Sequence, residues 1–142
     1  GKITSITDPT SRVWNIEYDG SGRVWKVKNP VLSGVTYETL YTYNTNNCIT
    51  GIQKPRSYSW TYSYFADGSL QWEKDPYNNQ TQYQYTTTTK TITDPNGKVT
   101  TLTYDTSGRL TQVKDPLNFT ENYTYDTSHN RTNVQDKRGY NW

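Results

Sequence analysis

The stretch Tyr104-Asp105-Thr106-Ser107-Gly108-Arg109-Leu110-Thr111-Gln112-Val113-Lys114-Asp115-Pro116 reads as a turn, a strand and a second turn. Asp105 can accept hydrogen bonds from the backbone ahead of it, and Gly108 can adopt the positive φ that closes a tight hairpin. The β-rich run that follows ends at Pro116, because proline has no N–H with which to continue a ladder. Partial copies of this stretch recur along the chain, so we take it as the structural unit.

Six tyrosines that precede such turns are separated by 25, 21, 21, 19 and 21 residues, a spacing typical of repeat arrays. These repeat tyrosines are Tyr18, Tyr43, Tyr64, Tyr85, Tyr104 and Tyr125. Boundary prolines mark the other end of each repeat, at Pro9, Pro30, Pro55, Pro76, Pro95 and Pro116, and Lys137 stands at the seventh such place. We therefore predict a single array over residues 1–142, with approximate repeats 1–8, 9–29, 30–54, 55–75, 76–94, 95–115 and 116–136, and the start of another at 137–142.

Counting back by twos from a repeat tyrosine gives an aromatic series, as in Tyr64, Tyr62, Trp60 and Tyr58, with small polar residues between its members. This alternation predicts strands with one aromatic and one polar face. In the second half of the repeat, apolar residues stand three apart, which indicates a bulge, a sharp twist or burial on both faces. The residues expected in a core are Trp14, Ile16, Trp60, Tyr62, Tyr64, Leu110, Val113, Tyr123 and Tyr125.

The predicted fold class is all-β, an array of stacked antiparallel β-hairpins that forms a twisted, spiralling sheet, a barrel or a shell segment. Two irregularities interrupt the array. Val31-Leu32-Ser33-Gly34 is an insertion that should loop out at one edge of the sheet. Thr86-Thr87-Thr88-Thr89 replaces the Asp-x-x-Gly turn in a shortened copy, which must turn more tightly or differently.

Composition limits the classes of function. Hydrophobic residues make up 30% of the 142 residues and the mean hydropathy is -1.05, values typical of disorder, but fourteen Tyr, five Trp and two Phe favour a half-buried sheet. The net charge of +2 comes without a basic run, so we expect no nucleic-acid partner. Cys48 is the only cysteine, which excludes an intrachain disulfide. No apolar run is long enough to span a bilayer.

The motif Tyr-Asp-x-x-Gly-Arg-Leu resembles the YD repeat of bacterial Rhs proteins, wall-associated proteins and insecticidal toxin-complex components, with teneurins as animal relatives. The copies that carry the resemblance contain Tyr18, Asp19, Gly22 and Arg23; Tyr104, Asp105, Gly108 and Arg109; and Tyr125 and Asp126, with Gly68 in the copy after Tyr64. The last of these copies has His129 where glycine would stand.

The resemblance implies a long β-sheet wound into a spiral shell or barrel, which encapsulates a toxin or forms part of a surface or delivery machine. Six or so repeats are too few to close such a shell, and the family's self-cleavage segment has no match before Trp142. Because the chain begins at Gly1 without methionine, we interpret it as a slice of a longer protein, although a mature self-assembling subunit would look the same.

Residues with catalytic or metal-binding chemistry are few. His129 occupies a turn position. Cys48 stands at the turn position that Arg109 holds in the copy Tyr104–Pro116. Neither has an obvious activating partner. The turn carboxylates Asp19, Asp67, Asp105 and Asp126 are expected to cap hairpin turns rather than to form a calcium ladder, because each turn supplies only one carboxylate. We expect no catalytic residue, no metal and no cofactor.

Two further features leave alternatives open. The tryptophans Trp14, Trp25, Trp60, Trp72 and Trp142 could stack against a polysaccharide if their faces were open to solvent. The sequons at Asn79, Asn118, Asn122 and Asn130 would matter only in a glycosylating source.

From these features we predict a non-enzymatic structural repeat segment of a secreted or cell-surface protein, of bacterial type by its resemblance. Its partners would be flanking repeats of a longer chain, or identical copies added end to end through open strand edges into a filament. The alternative is a cell-wall or glycan-binding aromatic repeat module, similar to an adhesin.

Overall fold

Short β-strands separated by tight turns make up the chain, as the alternation of aromatic and small polar residues predicts. The computed structural model describes residues 1–142. The predicted all-β class and the antiparallel hairpins are confirmed. The helical content is one 3₁₀ turn, Pro55–Ser57, and no helix has the length and hydrophobicity that crossing a membrane requires.

The chain divides into two compact units, Gly1–Asn79 and Gln80–Trp142. In the first unit each strand pairs antiparallel with the next, in the order β1 (Ser5–Thr7), β2 (Val13–Tyr18), β3 (Val24–Lys28), β4 (Glu38–Tyr43), β5 (Ile49–Lys54), β6 (Tyr58–Tyr64) and β7 (Leu70–Lys74). The second unit has the same arrangement in β8 (Gln80–Tyr85), β9 (Thr89–Thr93), β10 (Val99–Tyr104), β11 (Leu110–Lys114), β12 (Thr120–Tyr125) and β13 (Arg131–Gln135).

A β-bulge explains the three-residue spacing of apolar positions. Thr103 pairs with Gln112 whereas Tyr104 pairs with Leu110, so Thr111 is an extra residue in β11. The extra residue places Leu110 opposite Tyr104 and Val113 opposite Leu102, on the apolar face. The same shift precedes the repeat tyrosine in the hairpins β2–β3, β4–β5, β6–β7 and β12–β13. Of the three explanations that the sequence left open, the bulge is the one observed.

Cross-strand partners share a face of the sheet, and in the first unit Tyr41, Ile52 and Trp60 form one apolar row. In the second unit the opposite face carries the polar row Gln112, Asn122 and Gln135. The amides of this row are joined by hydrogen bonds of 2.8 and 3.2 Å.

The prediction of a buried core is wrong. No side chain in the chain is fully buried. The residues expected there are half-buried, namely Trp14, Ile16, Trp60, Tyr62, Tyr64, Leu110, Val113, Tyr123 and Tyr125. The physical reason is that each unit is a single layer of sheet, and a side chain is enclosed only where a second layer packs against it.

Both irregularities turn as the sequence predicted. In the insertion, Leu32 and Val35 exchange backbone hydrogen bonds of 3.0 and 2.9 Å, and Ser33 and Gly34 between them have φ values of 52° and 78°. This small hairpin loops out, with its side chains exposed. The range 86–89 forms a shorter turn closed by a 2.9 Å backbone bond, and Tyr85 pairs with Lys90 without a bulge.

Candidate functional site at the braced hairpin ends

The hairpins end in two sets of turns, at opposite ends of the strands. We call tyrosine-side turns those that follow the repeat tyrosines, Asp19–Arg23, Asn44–Cys48, Phe65–Ser69, Thr86–Thr89, Asp105–Arg109 and Asp126–Asn130. We call proline-side turns those at the other end, Asp8–Arg12, Asp75–Asn79, Asp94–Lys98, Asp115–Phe119 and Asp136–Tyr140. The insertion and the 3₁₀ turn Pro55–Ser57 also lie on the proline side.

The five-residue turns of both sets share one backbone geometry. In Asp105–Arg109 the first residue donates its N–H to the fifth carbonyl at 2.9 Å, and the fourth donates to the first carbonyl at 3.0 Å. Oδ1 of Asp105 accepts the N–H groups of Ser107 and Arg109 at 2.9 and 3.0 Å. The corresponding four bonds in Asp115–Phe119 measure 2.9, 2.9, 2.9 and 3.0 Å. Asp115–Phe119 is therefore the same Asx-type turn with proline in its second position.

The fourth residue of the turn has a positive φ. It is 77° at Gly108, where glycine has no Cβ to strain. Other residues occupy the same position in five turns, with φ values of 62° to 69°, namely Ser11, Asn47, Asn78, Asn118 and His129. His129 is thus a turn residue, as its place in the sequence predicted. Its backbone is strained because the fourth position of the turn requires a positive φ.

An arginine brace links each of two tyrosine-side turns to the next turn along the sheet. Arg109 Nε donates to Asp105 Oδ2 at 2.7 Å, and its Nη1 donates to the carbonyl oxygen of Asp126 at 3.1 Å. Its guanidinium lies over the ring of Tyr125, 5.0 Å from the ring centre. The side chains of Arg109 and Asp105 are 27% and 22% exposed, so the brace is partly shielded from water.

The first unit contains the same brace. Arg23 Nε donates to Asp19 Oδ2 at 2.7 Å, and its Nη1 donates to Asn44 O at 3.2 Å and to Asn47 Oδ1 at 3.0 Å. The guanidinium lies 4.7 Å from the ring centre of Tyr43. One geometry therefore accounts for Tyr, Asp, Gly and Arg at the spacing of the motif.

The repeat tyrosines add a second link between hairpins. Tyr125 Oη donates to the carbonyl oxygen of Leu110 at 2.8 Å, and Tyr64 Oη donates to that of Ile49 at 2.8 Å. Tyr18 makes the same bond to Ile3, and Tyr43 bonds to the carbonyl of Val24. Among the remaining two, Tyr104 donates its backbone N–H to Thr88 O at 2.7 Å, and Tyr85 is 39% exposed beside the tetrathreonine turn.

Other members of the motif differ between copies. Cys48 stands at the arginine position, where its N–H donates to Asn44 Oδ1 at 3.0 Å. Asn130 replaces arginine in the last copy, and its Nδ2 donates to Asp126 Oδ2 at 3.0 Å. Gly68 is the fourth residue of the turn that begins at Phe65.

Asp67 is not equivalent to the other three turn carboxylates, and its expected place in that series is wrong. It is the third residue of its turn and accepts hydrogen bonds from the N–H and hydroxyl of Ser69 at 2.9 and 2.6 Å. Phe65 takes the first position, which Asp19, Asp105 and Asp126 hold in their own turns. The register of the turn depends on the strand before it, and Tyr64 fixes that register by pairing with Leu70.

The boundary prolines occupy three kinds of position. Pro9, Pro76, Pro95 and Pro116 are the second residues of proline-side turns. Pro30 precedes the insertion, and Pro55 begins the 3₁₀ turn. Lys137 takes the second position of Asp136–Tyr140, and its Nζ reaches Asp115 Oδ2 of the neighbouring turn at 2.7 Å.

Hydrogen bonding lowers the pKa of seven turn carboxylates, those of Asp8, Asp19, Asp67, Asp75, Asp105, Asp115 and Asp126. For Asp105 the largest cause is the N–H of Arg109, which outweighs partial desolvation and is helped by the guanidinium. For Asp8, desolvation opposes ionisation, but hydrogen bonds from Arg12 and Thr10 together lower the pKa to about 2. Because these carboxylate oxygens accept bonds within their own turns, the carboxylates cap turns; no group of three or more His, Cys, Asp or Glu side chains is placed to hold a metal.

A charge cluster on the polar face was missed in the sequence. Glu17 bonds to Lys28 Nζ at 2.6 Å, and Lys26 lies between Glu17 and Glu38, at 3.9 and 3.6 Å. The hydrogen bond from Lys28 lowers the pKa of Glu17 and raises that of Lys28. The alternation Lys26-x-Lys28 places both lysines on one face of β3. Only the pairing of β2, β3 and β4 shows that glutamates lie beside them.

Four of the five tryptophans have a cation against the ring. Arg12, Lys26, Lys54 and Lys74 lie 5.8, 4.4, 4.7 and 5.2 Å from the ring centres of the half-buried Trp14, Trp25, Trp60 and Trp72. Trp142 is 81% exposed. Cys48 Sγ lies 3.8 Å from Asn46 O, and His129 Nδ1 lies 3.4 Å from Arg109 Nη1. Neither contact resembles a nucleophile and base pair.

Comparison with known proteins supports this description of the fold. Residues 87–120 match the family model of the RHS repeat. A chain in the structure of the Photorhabdus luminescens Tc holotoxin pore is similar with a TM-score of 0.70 at 17% identity, over 95% of this chain and 8% of that chain. A chain in the crystal structure of TcdB2-TccC3 gives a TM-score of 0.48 at 14% identity, over 86% of this chain and 9% of that chain. This chain thus spans less than a tenth of either neighbour, and no curated protein matches it.

Proposed function

We propose that this chain belongs to the RHS-repeat family, whose model matches residues 87–120, and is a non-enzymatic structural segment that forms the β-sheet wall of a larger secreted or cell-surface assembly. The observation that carries the proposal is the brace between consecutive hairpins. Arg109 joins Asp105 to the next turn, and Tyr125 bonds back to Leu110. The polar groups of the motif are engaged in holding hairpins together, which is the property a sheet wall requires.

The exposure of the sheet in both units supports the same proposal. Tyr41, Ile52 and Trp60 form an apolar row, yet no side chain is fully buried. A sheet with an aromatic face gains stability when further chain covers that face, since burial contributes about 25 cal/mol per Å² of apolar surface. Flanking repeats of a longer chain would supply this cover in a shell. The likeness in fold to a chain of a Tc holotoxin favours a toxin-associated shell.

Identical copies are the other source of flanking strands. Because the backbone groups at an open strand edge can pair with another strand, copies of the chain would add end to end into an extracellular filament. Shell and filament use the same hairpin brace and differ in whether the next strand is covalently joined.

Intact-mass measurement of the native protein, with electron microscopy, tests the proposal. We expect a mass far above 16.5 kDa for a shell, or 16.5 kDa subunits in an ordered polymer for a filament. A dilute, stable monomer of 16.5 kDa would contradict both forms. Hydrolytic activity that Cys48→Ala or His129→Ala abolishes would contradict the non-enzymatic role.

Glycan or cell-wall binding is the second candidate, and the 81% exposure of Trp142 favours it. The cation on the ring of Trp60 covers one of the faces that a sugar would use. Titration of the chain with cell-wall oligosaccharides, followed by tryptophan fluorescence, tests this candidate. Binding that Trp142→Ala removes would support it, and unchanged fluorescence at millimolar oligosaccharide would exclude it.

A further inference from the structure

The exposed large apolar side chains are concentrated at one end of the hairpins. In the second unit, Leu117, Tyr140, Phe119 and Val99 are 75%, 64%, 52% and 42% exposed, and all four lie in or next to proline-side turns. The tyrosine-side turns of this unit expose threonine, serine, glycine, histidine and asparagine. Tyr85, at 39%, is the exception on that side. The two ends of the strands therefore differ in chemistry.

The first unit, taken by itself, shows the same difference. Tyr77 and Tyr58 are 74% and 42% exposed, with ring centres 6.3 Å apart, and Val31, Leu32 and Val35 of the insertion are 63%, 59% and 48% exposed. These residues lie on the proline side. Ile3, at 63%, is the exception in this unit, because its carbonyl oxygen accepts a hydrogen bond from Tyr18 Oη at the tyrosine side. The exposed residues of the tyrosine-side turns in this unit are small or polar. An asymmetry that recurs in both units is a property of the repeat.

The clearest patch lies on two neighbouring turns of the second unit. Leu117 and Phe119 are the third and fifth residues of Asp115–Phe119, and Tyr140 is the fifth residue of Asp136–Tyr140. The 2.7 Å bond from Lys137 Nζ to Asp115 Oδ2 joins the two turns directly. We call Leu117, Phe119 and Tyr140, with the Lys137–Asp115 pair, the tip patch.

We propose that the tip patch is a self-association surface, through which the proline-side end of one copy of this chain pairs with that of a second copy. A two-fold pairing places the same patch on both sides of the contact, so apolar tips meet apolar tips. The Lys137–Asp115 pair neutralises two charges within the patch, which reduces the repulsion that like patches would otherwise meet.

The area of the patch fits such a partner. With about 200 Å² for each large side chain, the exposed fractions of Leu117, Phe119 and Tyr140 give about 400 Å² of mainly apolar surface. This is within the range of about 300–600 Å² found for the largest patch on a monomer, which is often functional. Since interfaces are about 57% apolar, a contact centred on this patch would cover about 700 Å² per partner. That area is close to the roughly 800 Å² per partner of a stable complex.

Tip pairing goes beyond the proposed wall-forming role and does not depend on it. End-to-end addition uses the backbone groups of an edge strand such as β13, whereas tip pairing uses side chains at the strand ends. A substitution at the tips would therefore separate the two kinds of association.

The test replaces the three apolar residues of the tip patch with residues that other proline-side turns have at the same positions. Leu117→Asn and Phe119→Lys give Asp115–Phe119 the residues that Asp94–Lys98 has at its third and fifth positions, and Tyr140→Asn copies the fifth residue of Asp75–Asn79. Because those turns close with the same hydrogen bonds, the triple variant should fold. The matched control is Thr106→Lys with Thr127→Lys, at exposed positions of two tyrosine-side turns.

Sedimentation velocity at chain concentrations from about 1 to 100 µM, the range that detects micromolar dissociation constants, measures the pairing. We expect a dimer whose dissociation constant rises about tenfold or more in the triple variant and stays within about twofold in the control. Circular dichroism and thermal melting confirm that each variant is folded.

Two results would overturn tip pairing. One is a wild-type chain that stays monomeric throughout the range, including the case in which its tips bind phospholipid vesicles or cell-wall oligosaccharide instead. The other is a folded triple variant that associates as tightly as the wild type, which would assign the association to strand edges and leave the wall-forming role intact.

Discussion

Tyr125 Oη donates a 2.8 Å hydrogen bond to the carbonyl oxygen of Leu110, the residue that follows the preceding tyrosine-side turn. Tyr64 bonds to Ile49 in the same way, although the two bonds lie in different units. The bond joins a side chain at the end of one hairpin to the backbone of the hairpin before it. The repeat tyrosine thereby serves both as an aromatic strand residue and as a link between repeats.

Removing that hydroxyl should destabilise the sheet slightly. We expect Tyr125→Phe to lower the free energy of unfolding by about 1 kcal/mol, since the ring is kept and one hydrogen bond is lost. Urea denaturation followed by fluorescence measures the change. Tyr77→Phe is the control, because Tyr77 is 74% exposed, and it should change little. Equal effects of the two substitutions would argue against the link.

Replacing the bracing arginine should matter even when its charge is kept. Arg109→Lys retains a cation but cannot donate from Nε to Asp105 and from Nη1 to Asp126 at once. We expect the melting temperature to fall by a few degrees. Arg138→Lys, at an exposed turn position, should leave the melting temperature unchanged. If the brace did not stabilise the sheet, the Arg109→Lys and Arg138→Lys variants would have the same melting temperature.

Replacing a turn residue that has a strained backbone should stabilise the chain. Ser11 has a φ of 62° at the fourth position of Asp8–Arg12, where glycine is unstrained. We expect Ser11→Gly to raise the free energy of unfolding by about 0.5–1 kcal/mol, as the relief of strain exceeds the added chain entropy. Ser21→Gly, one position earlier in the equivalent turn, should be neutral or destabilising. Chemical denaturation of both variants makes the comparison, and a stabilising Ser21→Gly would contradict the assignment.

Acid should destabilise the chain in a defined window. The pKa of Asp8 is lowered from 3.8 to about 2, and the pKa values of Asp105 and Asp126 are also lowered. A depressed carboxyl pKa contributes stability that is present above the unfolded value of 3.8 and is lost as the pH falls through the folded value of about 2. We therefore expect the free energy of unfolding to decrease between pH 4 and pH 2.

Asparagine at these positions provides the matched variant. Asn44 already begins a turn of this kind, with Oδ1 accepting two N–H groups at 3.0 Å, so the turn tolerates the neutral side chain. A variant with Asp8→Asn, Asp105→Asn and Asp126→Asn should have a flatter dependence of stability on pH. An unchanged dependence would show that these carboxylates do not cause the loss at low pH.

Much of this fold follows from local sequence. The spacing of Tyr104, Asp105 and Gly108 predicts a turn, and the alternation before Tyr64 predicts a strand, because both depend on residues a few positions apart. Where the local pattern is ambiguous, the prediction was incomplete or wrong. Asp67 resembles a turn-capping aspartate, but the pairing of Tyr64 with Leu70 makes Phe65 the first residue of that turn.

The sequence by itself determined the class of fold, the repeat and its turns, since backbone strain at Gly108 and the missing N–H of Pro116 act within one hairpin. Only the tertiary structure decided what the repeated side chains hold. Tyr125 and Arg109 bond to backbone carbonyls, which every residue has, so no sequence pattern identifies the acceptors. The tertiary structure also decided that the aromatic residues are half-buried, because enclosure depends on a second layer and not on hydrophobicity alone.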